Sequence, residues 1–373
     1  MGLNYSPGLD EVIATETKLS FLDTVGSQIV IRGYDLIVLS QRYSYLDIVY
    51  LLLHGEIAIE EQRTDLQDKL KANYQVPKEI FQIFKLLPNG THAMDGLRTG
   101  ISVLAGYDQH INDRSTEMNI KRAYRLLGGM PNIVANSYRV LKGQDVVEPN
   151  SQLSYSANFY YMITGRKPTQ FEEEIFDQSL VLYSEHEMPN STFTARVIAS
   201  THSDLYGALT GAVASLKGNL HGGANEAVMY MLLEAKTVEG FEAMLKNKLK
   251  NKEKIMGFGH RVYMKKMDPR AQIMKEALYR LCLEQRDDRL YHMCEAGEKV
   301  MVDEKGLYPN LDYYAAPVYY MLGLPIELYT PIFFGSRTIG LCAHVIEQHD
   351  NNRLFRPRVN YIGERHTLEK LSV

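Results

Sequence analysis

Cysteine is scarce in this chain. Cys282, Cys294 and Cys342 are its only three, widely spaced and without a CxxC pair. That excludes a disulfide framework and leaves no cysteine-based zinc or redox motif. A reducing cytoplasm is the compartment that fits. A large excess of one charge is also missing, with a formal net charge of −4 over 373 residues. Such a balance gives no general pull toward nucleic acid or an anionic membrane, and neither is expected as a partner. No apolar run is long enough to span a bilayer, and no basic-then-apolar leader opens the sequence. Low-complexity stretches, Pro/Gly-rich linkers and internal repeats are absent too, so composition marks no domain boundary.

Familiar chemical motifs are incomplete. GFGHRV, residues 257–262, starts like a dinucleotide fingerprint but lacks the third glycine and a preceding strand. GSRTIG, residues 335–340, lacks the Lys-Ser/Thr of a P-loop. HEMPN, residues 186–190, has the His-Glu of a zinc peptidase but no second histidine four residues on. No metal is therefore expected.

What is present is mostly helical spacing. YLDIVYLLLHG (45–55) is rich in helix formers and ends on the stop signal Gly55. EAVMYMLLEAK puts Ala227, Val228, Met231, Leu232 and Ala235 on one face. RAQIMKEALYRLC does the same with Ile273, Met274, Ala277, Leu278 and Leu281. Strand-like alternation is confined to KLSFLD and SQIVIRGYD near the start, which predict a small hairpin. The fold class is therefore all-α with a minor N-terminal β-hairpin. DLYGALTGAVASLKGN is unusual in its small residues, Gly207, Ala208, Gly211, Ala212 and Ala214. A glycine inside a helix costs about 1 kcal/mol, so close helix packing is expected there, in a core or at a dimer interface. KNKLKNKEK (246–254) reads as a solvated helix face, or as a phosphate contact beside the IMGFGH that follows.

Several side chains stand in contexts suited to chemistry. His221, in GNLHGGANEA, and His260, in MGFGHRVY, adjoin glycines, which permit a turn or the close approach of a ligand. His186 sits in SEHEMPNST. Asp268 reads as a helix N-cap and Pro269 as the first helical residue. Arg270 then falls in the first turn, where a cation opposes the helix dipole. It either aims at an anionic ligand or pairs with a nearby carboxylate. Arg337, Arg356 and Arg358 add further guanidiniums, which match carboxylates bidentately. Asp312, in YPNLDYYAAPVY, is either a base made stronger by partial burial or a capping residue.

Taken in order, these segments resemble the citrate synthase family, in its short bacterial and archaeal type that includes 2-methylcitrate synthases. HAMDGLRTGIS, SEHEMPNSTF, GNLHGGANEAV, IMGFGHRVY…DPR, YPNLDYYAAPVY, SRTIGLCAHVIEQ and RLFRPR carry the resemblance over nearly the whole chain. It implies a large helical domain, residues 1–221 and 323–373, that forms a homodimer. A smaller helical domain, residues 222–322, closes over the cleft. The implied reaction joins oxaloacetate to acetyl-CoA or propionyl-CoA and hydrolyses the thioester, a step of the tricarboxylic acid or methylcitrate cycle. The coenzyme A thioester is a co-substrate, with no permanently bound cofactor and no metal. By resemblance Asp312 is the base, His221 the donor to the enol(ate), and His260 the donor to the oxaloacetate carbonyl. His186, Arg270, Arg337 and Arg356 match oxaloacetate ligands, Arg356 coming from the partner subunit. Phe333 matches the aromatic near the reacting centre, and Ile255, Met256, Gly257, Phe258 and Gly259 the coenzyme loop. GHRVYMKKMDPR carries one residue more than the usual spelling, so Lys265 and Lys266 are both candidates for the coenzyme phosphate. Ala315 and Ala316 are small enough to leave room for propionyl-CoA. A citryl-CoA lyase, or a non-catalytic dimer that binds CoA or a dicarboxylate, are the alternatives. The lyase module sits in a longer chain, and a binder has no need of the base.

Overall fold

Side chains that cap helices set the element boundaries. Asp35, Ser44, Ser115, Ser154, Thr169, Asp204, Thr237, Asp268 and Asn310 each accept a first-turn backbone N–H, satisfying donors a helix start leaves orphaned. The computed structural model describes residues 5–23, 26, 28–259, 263 and 266–365. Among them the chain forms α1 (Leu36–Arg42), α2 (Tyr45–His54), α3 (Glu60–Lys71), α4 (Glu79–Lys85), α5 (Ala93–Ala105) and α6 (Thr116–Leu141). There follow α7 (Tyr155–Thr164), α8 (Gln170–Tyr183), α9 (Asn190–Ala199), α10 (Leu205–Lys217) and α11 (Ala224–Ala235). The series ends with α12 (Val238–Lys250), α13 (Pro269–Gln285), α14 (Arg289–Lys305), α15 (Leu311–Met321) and α16 (Tyr329–Asp350).

The only sheet among the described residues is N-terminal. Strands β1 (Ser20–Asp23), β2 (Gln28–Ile31) and β3 (Tyr34–Asp35) run antiparallel in that order, with Ser20 opposite Ile31 and Ile31 opposite Tyr34. The expected hairpin is thus a three-stranded meander. Arg32 and Gly33, with φ of 50° and 91°, make the two-residue turn that adds β3.

Helix α16 is the axis of the core. From Tyr329 to Ile346 every residue is buried except Phe333, which keeps partial exposure. The helix is covered on all sides, packing against α2, α5, α6, α8, α9, α10 and α11. The small residues of α10 give the close packing expected: a Cβ on Gly211 would run into Ile198 of α9. Helices α11 to α15 form a second packed group, α13 on α15, α12 on α14 and α11 on α15. All five apolar residues expected on one face of α13 are buried. On α11 the buried stripe is Ala224, Val228, Met229 and Leu232, while Ala227, Met231 and Ala235 are only partly covered. The stripe is rotated toward Met229 because α11 is wedged between α15 and α16.

The three cysteines are free and buried. Burial pushes the Cys282 thiol up to about 11 and those of Cys294 and Cys342 higher. Among the described residues, no helix is long and apolar enough to cross a membrane.

Candidate active site

The entrance to α15 is a hub of hydrogen bonds. Asn310 caps the helix by accepting from the Asp312 N–H at 3.1 Å. Its own N–H donates to the Gly257 carbonyl at 3.0 Å, and its side-chain amide to the Gly259 carbonyl at 3.2 Å. The Gly259 N–H donates to the Tyr308 carbonyl at 2.9 Å, and Phe258 bridges to Pro309. So the loop expected to hold the coenzyme is fastened to the start of the helix that carries the expected base. Gly257 has a φ of +86°, and a Cβ there would lie 2.6 Å from Val228 Cγ2. Only glycine serves at that turn. Of the loop, Ile255 and Gly257 are buried, and Met256, Phe258 and Gly259 partly so.

With Asn310 as the cap, Asp312 is free for another role. Its Oδ1 accepts a hydrogen bond from the Tyr183 hydroxyl at 2.7 Å. Burial raises its pKa; the Tyr183 bond and the Arg270 charge work against this, and Asp268 adds to it. The net direction is upward, so the carboxylate is a stronger base than an exposed aspartate.

His221 lies in the turn between α10 and α11. Its backbone N–H donates to the Gly218 carbonyl at 2.9 Å. Its Nε2 accepts from the backbone N–H of Ser191 at 3.1 Å and lies 2.9 Å from Ser191 Oγ. A backbone N–H can only donate, so Nε2 carries no proton and the neutral ring holds its proton on Nδ1. Burial, then the Arg337 charge, lowers its pKa to about 4. Ser191 is in the first turn of α9. The helix start that engages the imidazole is therefore that of α9, while α11, the next helix in the chain, opens on the uncapped Gly223.

Two guanidiniums are buried nearby. Arg337 donates from Nε to the Tyr183 carbonyl at 2.7 Å and stacks 4.9 Å from the centre of the Phe333 ring. Burial pushes its pKa down to about 10; Glu185 opposes this, and the charge of Arg270 adds to it. Among the described residues its terminal nitrogens have no hydrogen-bond partner. Arg270 pairs with its cap Asp268, Nε to Oδ1 at 3.1 Å and NH2 to Oδ2 at 2.7 Å. His186 is also buried, with Nε2 3.4 Å from the Tyr263 hydroxyl. The charge of Arg270 adds to the cost of burying Arg337, which favours an anionic ligand at that guanidinium.

Beneath this floor Glu185 is fully buried, accepting from Ser20 Oγ at 2.8 Å and His344 Nε2 at 3.1 Å. Arg196 Nε donates to His344 Nδ1 at 2.9 Å. A Cβ on Gly340 would strike Glu185. This network fixes the segment that carries His186.

Other expected residues are not brought to this cluster. Arg356 is exposed on the stretch after α16, with no hydrogen bond to a described residue. Lys266 is exposed as well. His260 and Lys265 lie outside the described residues. Conversely, Tyr183, Ser191, Asn310 and Glu185 contribute to the site without having been singled out from sequence. Only Asn310 had a readable signal, a capping residue directly before an apolar helical run.

Comparisons with known proteins show the family. The family model described as citrate synthase, C-terminal domain, matches residues 8–358. A citrate/2-methylcitrate synthase of Bacillus subtilis is 68% identical over 363 residues, covering 97% of this chain and 98% of its own. A citrate synthase of Heyndrickxia coagulans is 68% identical over 361 residues, covering 97% of each chain. Among solved structures, a citrate synthase of Thermoplasma acidophilum in ternary complex with carboxymethyl coenzyme A and oxaloacetate superposes with a TM-score of 0.92. It is 31% identical, with 98% of this chain and 97% of that one covered. On the match to the family model and the full-length relatives, this chain belongs to the citrate synthase family.

Proposed function

We propose that the protein condenses oxaloacetate with a short acyl-CoA, acetyl-CoA or propionyl-CoA, and hydrolyses the thioester to release citrate or 2-methylcitrate and coenzyme A. One observation carries this reading: a carboxylate of raised basicity, Asp312, and a neutral imidazole protonated on Nδ1, His221, both feel the field of the buried Arg337. Removing a proton beside a thioester carbonyl needs such a base, and the developing enolate oxygen needs such a donor.

In this reaction Asp312 takes the proton from the carbon next to the thioester carbonyl. His221 donates from Nδ1 to the carbonyl oxygen. The enol(ate) carbon then adds to the ketone carbon of oxaloacetate, whose oxygen receives a proton from His260. Water attacks the new thioester carbonyl and expels the coenzyme A thiol. Arg270, Arg337 and His186 hold the oxaloacetate carboxylates, and Phe333 packs beside the reacting centre. Ile255 to Gly259 hold the coenzyme, with Lys265 or Lys266 on a phosphate.

The same reading makes the protein a cytoplasmic homodimer. Residues 1–221 and 323–373 form its large domain, and residues 222–322 form a domain that closes over the cleft. The packing of α11 to α15 on one another supports that division. The exposure of Arg356 on an extended segment supports its reaching a partner subunit's site. Discrimination between the two thioesters is expected to be modest, because one methylene is worth about 1–3 kcal/mol in an apolar pocket.

The test is release of the coenzyme A thiol. Purified protein with oxaloacetate and either thioester should release it, and the two kcat/KM values give the acyl preference. Absence of oxaloacetate-dependent release with both thioesters would sink the proposal.

A further inference from the structure

We infer that Tyr183 is a positioning residue that couples the base to the oxaloacetate side of the site, an inference that rests on the reaction proposed above. It is the last residue of α8 and only 2% exposed, so it reads as core. Three of its parts nevertheless face three parts of the site. Its hydroxyl donates to Asp312 Oδ1 at 2.7 Å. Its carbonyl accepts from Arg337 Nε at 2.7 Å. Its ring lies 4.7 Å from the Phe333 ring, on which the Arg337 guanidinium stacks.

A carboxylate acting as a base uses one oxygen at a time. A donor fixed on Oδ1 stops the group from turning and leaves Oδ2 to meet the substrate proton. The donor itself is dependable. Burial, and then the Asp312 charge, hold the Tyr183 phenol well above its ordinary pKa, so it keeps its proton. Asn225, buried in the first turn of α11, also bears on that hydroxyl. The bond favours the ionised form of Asp312 and so limits how far burial raises its pKa. The groups acting on Asp312 are Tyr183 from α8, Asp268 and Arg270 at the start of α13, and Arg337 from α16. Of these, only Tyr183 can be altered without changing a formal charge.

The deciding variant is Tyr183→Phe, which retains the ring and the backbone carbonyl. The acid limb of its kcat/KM profile should move to higher pH, because an influence that lowers the Asp312 pKa is gone. Its kcat should fall roughly tenfold or more, the scale of one hydrogen bond to a charged group. Its KM for oxaloacetate should stay within about twofold, because both contacts to the Arg337 side remain. Fluorotyrosine at position 183 is a stronger donor and should move the limb the other way. Carbon-13 NMR titration of the Asp312 carboxyl in both proteins reads the same contact without any turnover. An acid limb and a carboxyl titration that are unchanged in both variants would overturn the inference. If the unaltered protein released no thiol, the proposed reaction would fail, while the carboxyl titration would still decide this contact.

Discussion

At the entrance to α15 a side chain caps the helix; at the entrance to α11 none does. Asn310 closes the first and draws in the loop carbonyls of Gly257 and Gly259. Gly223 opens the second, with a φ of 77° and no capping side chain. Asp312 stands at the first entrance and His221 just before the second. Burial leads the pKa shift of both. It raises the aspartate and lowers the histidine because it disfavours whichever form is charged. A carboxyl is neutral before it loses its proton, and an imidazole is neutral afterwards. One cause thus yields a stronger base and an uncharged donor, the two partners that enolisation requires.

The most severe way to break this pairing is to remove either group. Asp312→Asn and His221→Ala should each lower kcat by roughly 100- to 10,000-fold, the usual range for acid–base and oxyanion partners. Near-normal thiol release from either variant refutes its role. Next in size is Arg337→Ala, with the KM for oxaloacetate raised about tenfold or more through loss of charge-assisted hydrogen bonds. Arg270→Ala should do the same and also lower Tm, because it leaves the fully buried Asp268 without its ion-pair partner.

A smaller effect follows from pH. Unfolded histidine takes up a proton below about pH 6.5, whereas folded His221 resists it down to about 4. Stability is therefore lost over that window as the pH falls, and His221→Gln should remove this part of the acid sensitivity. Urea titrations of both proteins at several pH values measure it, and equal slopes would contradict the burial of a neutral ring. The mildest test compares the two entrances directly. Asn310→Ala should cost about 0.5–2 kcal/mol as a lost cap and also raise the KM for acyl-CoA, since the loop loses an anchor. Gly223→Ala should cost roughly 1–2 kcal/mol through left-handed backbone strain. An unchanged acyl-CoA KM in Asn310→Ala would show that cap and loop act separately.

Local signals carried much of this into the sequence. Asp268, Pro269 and Arg270 read correctly as cap, first residue and first-turn cation, and Gly55 as a helix stop, because each depends on near neighbours in the chain. Tyr183 was invisible because its spacing on α8 is that of a core residue; its function depends on Asp312, 129 positions away. The partner of His221 is hidden from the sequence for a similar reason. Ser191 lies 30 positions earlier, and its N–H reaches the ring only once α9 and α10 have packed together. The third strand was missed on a smaller scale, since a two-residue turn at Arg32 and Gly33 leaves little pattern to read.

The product of the proposed reaction is itself a thiol, which bears on the three buried cysteines. A reagent or a disulfide reacts with thiolate, and a buried, high-pKa cysteine offers very little of it. Coenzyme A released at this site therefore meets no reactive sulfur on the folded chain that made it. Mixed disulfides between enzyme and product are disfavoured, and a thiol-reactive dye would report turnover against a silent protein background.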